Sequence, residues 1–207
     1  MTDKHRFLTL TKRIQALAQA GITYTENPYD MERYHELRDI SVDLMHLITH
    51  EKIEVIRDLF ANQTGYQTPM VDIRAVVFKD EKILLVKELI DGCWSLPGGW
   101  GDVGYTPGEV AAKEVKEEAG IEVKPVRILA VMDKKCHDHP PQPFYVYKLF
   151  ILCKIVQGNI QSGIETLDVG FFARNDIPHL SVDRNIPSQI DLMFEYLQNP
   201  EKPVYFD

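Results

Sequence analysis

LPGGWGDVGYTPGEVAAKEVKEEAGI, running from Leu96 to Ile121, couples a glycine-rich turn to a short acidic helix. Thr106 has the character of an N-cap, Pro107 suits the first helical position, and Glu109 is placed to complete a capping box. Gly120 is the expected C-terminal stop. On the helix between them, Glu114, Glu117 and Glu118 share an arc of roughly 100°. Ala111, Ala112, Val115 and Ala119 form the neighbouring apolar arc, which predicts a sheet beneath, and Glu109, Lys113 and Lys116 take the remaining side. Small alanines bring the helix close to its support, so the glutamates belong at a seam. Carboxylates so close together repel one another unless a cation lies between them. The Pro97-Gly98-Gly99 turn brings carbonyl oxygens to the same place, and hard oxygen donors suit Mg²⁺ or Mn²⁺, not zinc.

On the N-terminal side, the first sixty or so of the 207 residues read as helical. Leu8, Leu10, Ile14, Leu17 and Ala18 recur at helical spacing, with Gly21 as a stop. A second helix opens at Asn27 and Pro28 and carries Met31, Tyr34, Leu37, Ile40, Leu44 and Leu47 in an apolar stripe. A third covers Glu51 to Phe60. Residues 1–62 are therefore expected as a helical domain for dimerisation or substrate selection, 63–69 as a linker, and 70–207 as the catalytic domain. Within the last, Val71–Phe78 and Ile83–Val86 predict a hairpin around Lys79-Asp80-Glu81-Lys82. Further strands are expected at Val123–Met132, Phe144–Val156 and around Gly170-Phe171-Phe172, with a closing helix over Pro187–Leu197. Strands and helices alternate without a βαβ repeat, so the class is α+β.

Composition narrows the function. There are 31 acidic against 23 basic residues, a net charge of −8, which argues against a general nucleic-acid-coating surface. No apolar run is long enough to span a bilayer, and the N-terminus lacks a signal-peptide pattern. Cys93, Cys136 and Cys153 form no CxxC pair, which fits a reducing, cytoplasmic setting.

The central stretch resembles the signature of the Nudix hydrolases: a glycine, five residues, a glutamate, seven residues, then Arg-Glu-aliphatic-x-Glu-Glu-x-Gly-aliphatic. Gly99 matches the glycine, and Lys113 to Ile121 match the remainder except at the arginine, while Trp94-Ser95-Leu96-Pro97-Gly98 is also typical. The resemblance implies an α/β/α sandwich over Val71 to about Leu197, preceded here by the small helical domain. It implies Mg²⁺- or Mn²⁺-dependent hydrolysis of a nucleoside diphosphate linked to another group. Glu114, Glu117 and Glu118 would hold the metal with the carbonyl of Gly98 or Gly99, and the general base would be Glu114, Glu117 or Glu165 from a later loop. Tyr105 stands where the family usually has its first glutamate, and Lys113 replaces the arginine, which usually pairs with it. Glu109, four residues before Lys113, either takes over that pairing or only caps the helix.

Other candidates sit around this motif. Asp133 to Pro141 contains Lys134, Lys135, Cys136, His137 and His139; donors this closely alternated do not suit a tetrahedral zinc site. The segment reads as either a structural loop or a substrate loop, with Lys134, His137 and His139 as phosphate or leaving-group contacts. Trp100 and Tyr105 either stack on a base or pack inside. The chain is similar to the Nudix subgroup with an N-terminal helical domain, which implies CDP-choline as the first substrate expectation. ADP-ribose or another nucleotide sugar is the second, with action on RNA ends left open. A homodimer would cover the apolar stripes. The competing class is a nucleotide-sensing regulator, which the intact glutamate trio disfavours.

Overall fold

The computed structural model describes residues 3–62 and 64–207, the side chain of His5 excepted, so Gln63 of the expected linker lies outside the described residues. The chain divides into two compact units, the first running to Pro69 and including Pro141–Tyr145, the second comprising Met70–Pro140 and Val146–Asp207. The excursion at Pro141–Tyr145 departs from the sequence-based division, which assigned everything beyond residue 70 to one domain.

The first unit holds α1 (Asp3–Tyr24), α2 (Pro28–Thr49) and α3 (Ile53–Phe60). Asn27 caps α2 as its spacing indicates, its side chain accepting from the Tyr29 and Asp30 backbone amides. Gly21 does not end α1, which continues to Tyr24; a Cβ at position 21 would sit 2.4 Å from the ring of Tyr34, so this glycine makes room for the neighbouring helix. Within this unit the helices bury only part of their apolar stripes. Inward positions are Leu8, Thr11, Gln15, Ala18 and Gln19 on α1 and Ser41, Val42 and Met45 on α2, whereas Leu10, Leu17, Leu37, Ile40 and Leu47 are exposed. Periodicity located a face correctly but could not say whether that face meets this chain or something else.

The second unit is built on a mixed sheet of β1 (Met70–Lys79), β2 (Lys82–Glu88), β3 (Trp94–Ser95), β4 (Gly98–Trp100), β5 (Glu122–Asp133), β6 (Val146–Gln157), β7 (Thr166–Phe172) and β8 (Tyr205–Phe206). The order is β3-β2-β1-β6-β5-β8, with β4 paired to β1 and β7 to β2. The β1–β2 hairpin turns at Asp80 and Glu81, both at positive φ (50° and 59°), the backbone hand a two-residue hairpin requires. β1 and β6 run parallel, Met70 to Val77 opposite Val146 to Cys153.

Two helices cover the sheet. α4 (Pro107–Ala119) lays Val110, Ala111, Val115 and Ala119 against Ile73, Ala75, Val77, Ile151 and Cys153. α5 (Pro187–Gln198) lays Ile190, Met193 and Phe194 against Val76, Leu129, Ala130 and Phe150 on the other side. The alternation along β1 sends odd and even residues to different helices, which produces the three layers. Each large apolar side chain buried here contributes about 1.5–3 kcal/mol. Among the described residues no helix is long and apolar enough to cross a membrane.

Candidate active site

The site is assembled where β4 crosses the N-terminal half of β1 and α4 lies over both. Gly98 pairs with Arg74 and Gly99 with Ile73. Gly98 has φ +152°, and a Cβ there would fall 2.0 Å from the Ile73 carbonyl oxygen, so only glycine lets the two strands approach. The same closeness aims the Gly98 N–H at α4, where it donates to Glu118 Oε2 at 2.9 Å. Glu114 Oε1 lies 2.9 Å from where a Cβ of residue 99 would be. Turn and helix therefore meet, as the spacing of the motif anticipates.

Helix α4 is held at both ends. The Thr106 side chain accepts from Glu109 N, and Glu109 Oε2 takes hydrogen bonds from Thr106 N and Oγ1, each 2.8 Å. These bonds hold the Glu109 carboxyl below its usual range. Gly120 closes the helix in the left-handed conformation, and the Glu118 carbonyl oxygen is taken by Gly163 N and Thr166 Oγ1. Glu109 is thus spent as a cap. Lys113 turns instead to Asp102 at 3.2 Å, Glu117 at 3.5 Å and Glu114 at 4.0 Å. The supporting anion for Lys113 is Asp102, on the loop after β4, which helical spacing alone could not reveal.

Electrostatics separate the three glutamates. Glu118 is 7% exposed, and its burial, partly offset by the Gly98 N–H and Arg74, pushes its pKa up to about 8. Glu114 is raised chiefly by burial, with Lys113 opposing. Glu117 is largely exposed and engaged with Lys113. No group of three or more His, Cys, Asp or Glu side chains among the described residues converges tightly enough to hold an ion as it stands. A buried carboxylate with so little compensating positive charge, beside a second carboxylate and a turn rich in backbone oxygen, still suits a hard divalent cation. Glu114, Glu118 and the Gly98 or Gly99 carbonyl fit such an ion; Glu117 joins them only by releasing Lys113.

The remaining sequence candidates distribute unevenly. Glu165 is exposed on the loop entering β7, its backbone oxygen accepting from Leu89 N at 3.1 Å, and the next residue is the Thr166 that ties down Glu118. Trp100, the last residue of β4, and Tyr105, on the loop before α4, are exposed and are not core residues. Lys134 is buried, donating to the Asp183 carbonyl at 2.8 Å, and burial lowers its pKa to about 8. His137 reaches Asp207 at 3.1 Å through Nε2. His139 is in the interior: Nδ1 meets the Val182 carbonyl at 2.7 Å and Nε2 meets the Gln189 amide at 2.9 Å. Both ring nitrogens are occupied, which is the geometry of a packing residue and leaves none for a ligand.

Sequence reasoning passed over a polar network behind the turn. Asp72 is buried between Arg74, at 2.8 Å, and Lys148. Burial would raise the Asp72 carboxyl, but the two cations outweigh it and hold the pKa below the usual range. Arg74 Nη1 also donates to the Leu96 carbonyl at 3.1 Å, and Asn185 Oδ1 accepts from Leu96 N at 3.0 Å, so both sides of that residue's backbone are pinned. Buried Glu88 accepts from Ser95 Oγ at 2.5 Å and pairs with Arg184 at 2.9 Å. The available signal was Asp72, Arg74 and Lys148 interrupting otherwise apolar strands in phase with their inward positions. A cavity of about 950 Å³ opens at the opposite end of β1, lined by Phe78, Val126, Leu152 and Leu197, remote from these groups.

A family model described as the NUDIX domain matches residues 68–191, and one described as a UDP-X-like N-terminal oligomerisation domain matches residues 5–60. The chain is 45% identical over 202 residues, covering 98% of itself and 97% of the relative, to the Bacillus subtilis (strain 168) protein named "Putative ADP-ribose pyrophosphatase YjhB". A crystal structure of a UDP-X diphosphatase superposes with a TM-score of 0.64 at 34% identity, covering 99% of both chains. A crystal structure of an ADP-ribose pyrophosphatase from Streptococcus suis 89-1591 gives 0.61 at 43% identity, covering 68% of this chain and all of the other.

Proposed function

The chain belongs to the Nudix family of pyrophosphohydrolases, and on that premise we propose that it hydrolyses the diphosphate bond of a nucleoside diphosphate sugar with Mg²⁺ or Mn²⁺. ADP-ribose, giving AMP and ribose 5-phosphate, is the leading substrate, with UDP-linked compounds next. The names of the full-length relatives favour these over CDP-choline, which was the first expectation from sequence. The observation that carries the reading is the buried Glu118, anchored by Gly98 N–H and adjoining Glu114 at the glycine turn.

In this reading Glu114, Glu118 and the Gly98 or Gly99 carbonyl would hold the metal, with Glu117 completing the set once it releases Lys113. A bound Mg²⁺ or Mn²⁺ would supply charge to neutralise the phosphate oxygens and to acidify a water. Gly98 N–H keeps one Glu118 oxygen fixed, leaving the other for the ion. A carboxylate then takes the proton of the attacking water, Glu114, Glu117 or Glu165 being the candidates. Lys113 steadies Glu114 and Glu117 from the side, and Asp102 steadies Lys113. Exposed Trp100 and Tyr105 offer flat surfaces to a base, and Lys134 and His137, on the segment after β5, are the proposed contacts to phosphate or the departing group.

The outward Leu37, Ile40 and Leu47 of α2, with the oligomerisation domain matched there, support a homodimer formed through the helical unit. The test is a Mg²⁺-supported screen of ADP-ribose, UDP-sugars and CDP-choline with products identified in ¹⁸O water. Label in a nucleoside monophosphate or its partner phosphate is expected. Absence of turnover of every diphosphate, with Mn²⁺ as well, refutes the proposal.

A further inference from the structure

Arg184 lies on the segment leading into α5, outside every motif considered above. Its guanidinium is gripped on two sides: Nε by the buried carboxylate of Glu88 at 2.9 Å, and Nη1 by Ser181 Oγ at 3.1 Å, with Asp91 at 3.8 Å. Ser181 is itself fixed, donating to Asp91 at 2.6 Å. The side chain remains 26% exposed, and among the described residues Nη2 makes no hydrogen bond. A planar donor held still by its Nε and Nη1, with its last nitrogen unspent, is preorganised for an oxyanion.

Its neighbours tie it to the catalytic turn. The preceding residue, Asp183, holds the ammonium of Lys134 through its carbonyl, and the following residue, Asn185, holds Leu96 two residues before Gly98. Glu88, at the end of β2, accepts from Ser95 of β3, the residue before Leu96. Arg184 and Arg74 both act electrostatically on Lys134, and Arg74 and Glu88 act on Glu118, so this group of paired cations borders the acidic helix's buried glutamate.

We propose that Arg184, oriented by Glu88 and Ser181, binds a phosphate oxygen of the diphosphate substrate, with Lys134 as the second cation of this subsite. The proposal rests on the diphosphatase reading, and its test must separate the two. Steady-state kinetics of Arg184→Gln and Arg184→Lys in the full chain should show KM raised about tenfold for Gln with kcat within about threefold of wild type, and partial recovery for Lys. Calorimetric binding of inorganic pyrophosphate in EDTA, which needs no turnover, should weaken about tenfold in Arg184→Gln.

A purely structural role would lower the unfolding midpoint and leave KM and pyrophosphate affinity within twofold, which overturns the proposal. If the Gln variant fails to fold, Arg184→Lys decides, because it keeps the charge and loses the fork; unchanged KM and pyrophosphate affinity then overturn it. Pyrophosphate binding that depends on Arg184 in a chain hydrolysing no diphosphate would sink the diphosphatase reading and leave this subsite standing.

Discussion

Replacing His139 with asparagine separates packing from substrate binding at a residue that sequence could place in either role. The ring is 5% exposed, its Nδ1 donates to the Val182 carbonyl, and its Nε2 accepts from Gln189. A second proton would place an N–H against the Gln189 amide. Burial, followed by the neighbouring Lys148 and Lys134 charges, lowers the pKa from 6.5 to about 4, the Val182 carbonyl opposing. Between those values the unfolded chain binds more protons than the folded one, so stability rises with pH. The histidine's contribution is complete above about pH 6.5 and is lost as pH falls towards 4. At 1.36 kcal/mol per pH unit the full loss is about 3 kcal/mol, and about 2 kcal/mol of it occurs by pH 5.

Asparagine keeps an N–H for Val182 and an oxygen acceptor but does not titrate. His139→Asn should therefore be less stable than wild type at pH 7.5, with the gap shrinking by about 2 kcal/mol at pH 5. In denaturation of the catalytic unit this corresponds to a change of roughly 4–8 °C in the difference between melting temperatures. Turnover at pH 7.5 and 25 °C should stay within about threefold of wild type. A stability gap that is the same at both pH values refutes the titration argument. A tenfold rise in KM with unaltered stability would return His139 to the substrate site.

Three other perturbations probe the framework. Glu118→Gln should reduce turnover by at least about a thousandfold, while in EDTA at pH 8 it should melt higher than wild type, because an amide has no charge to desolvate; a lower melting temperature in EDTA counts against the buried-charge account. Gly98→Ala forces a Cβ to within 2.0 Å of the Ile73 oxygen, and should cost about 3 kcal/mol or more in urea denaturation, a cost under 1 kcal/mol contradicting the close approach. Leu47→Glu, at a position 68% exposed, should convert a dimer to a monomer in light scattering without loss of helical circular dichroism, and an unchanged mass removes α2 from the interface.

Much of this molecule was legible from local rules. The Asn27 and Thr106 caps, the Asp80-Glu81 hairpin and the succession of strands follow from spacing and turn chemistry, because each depends on residues only a few positions apart. The acidic arc of α4 and its meeting with Gly98 and Gly99 follow similarly from one continuous motif. What depended on distant residues was not legible. Gly21 read as a stop because nothing nearby announces Tyr34, and periodicity drew the stripe through Leu37, Ile40 and Leu47 without showing that this chain leaves it exposed.

By itself, then, the sequence determined the α+β class, the helical prelude and the acidic helix at a glycine turn, all encoded in short-range geometry. Only the tertiary structure decided that Glu109 is a cap, that Asp102 supports Lys113, that His139 lies inside, and that Asp72, Arg74, Glu88, Arg184 and Asn185 stand behind the turn. Those assignments join strands and loops far apart in the sequence, Leu96 and Asn185 for instance being 89 residues apart. Burial and the approach of distant charges set them, and neither exists until the sheet has formed.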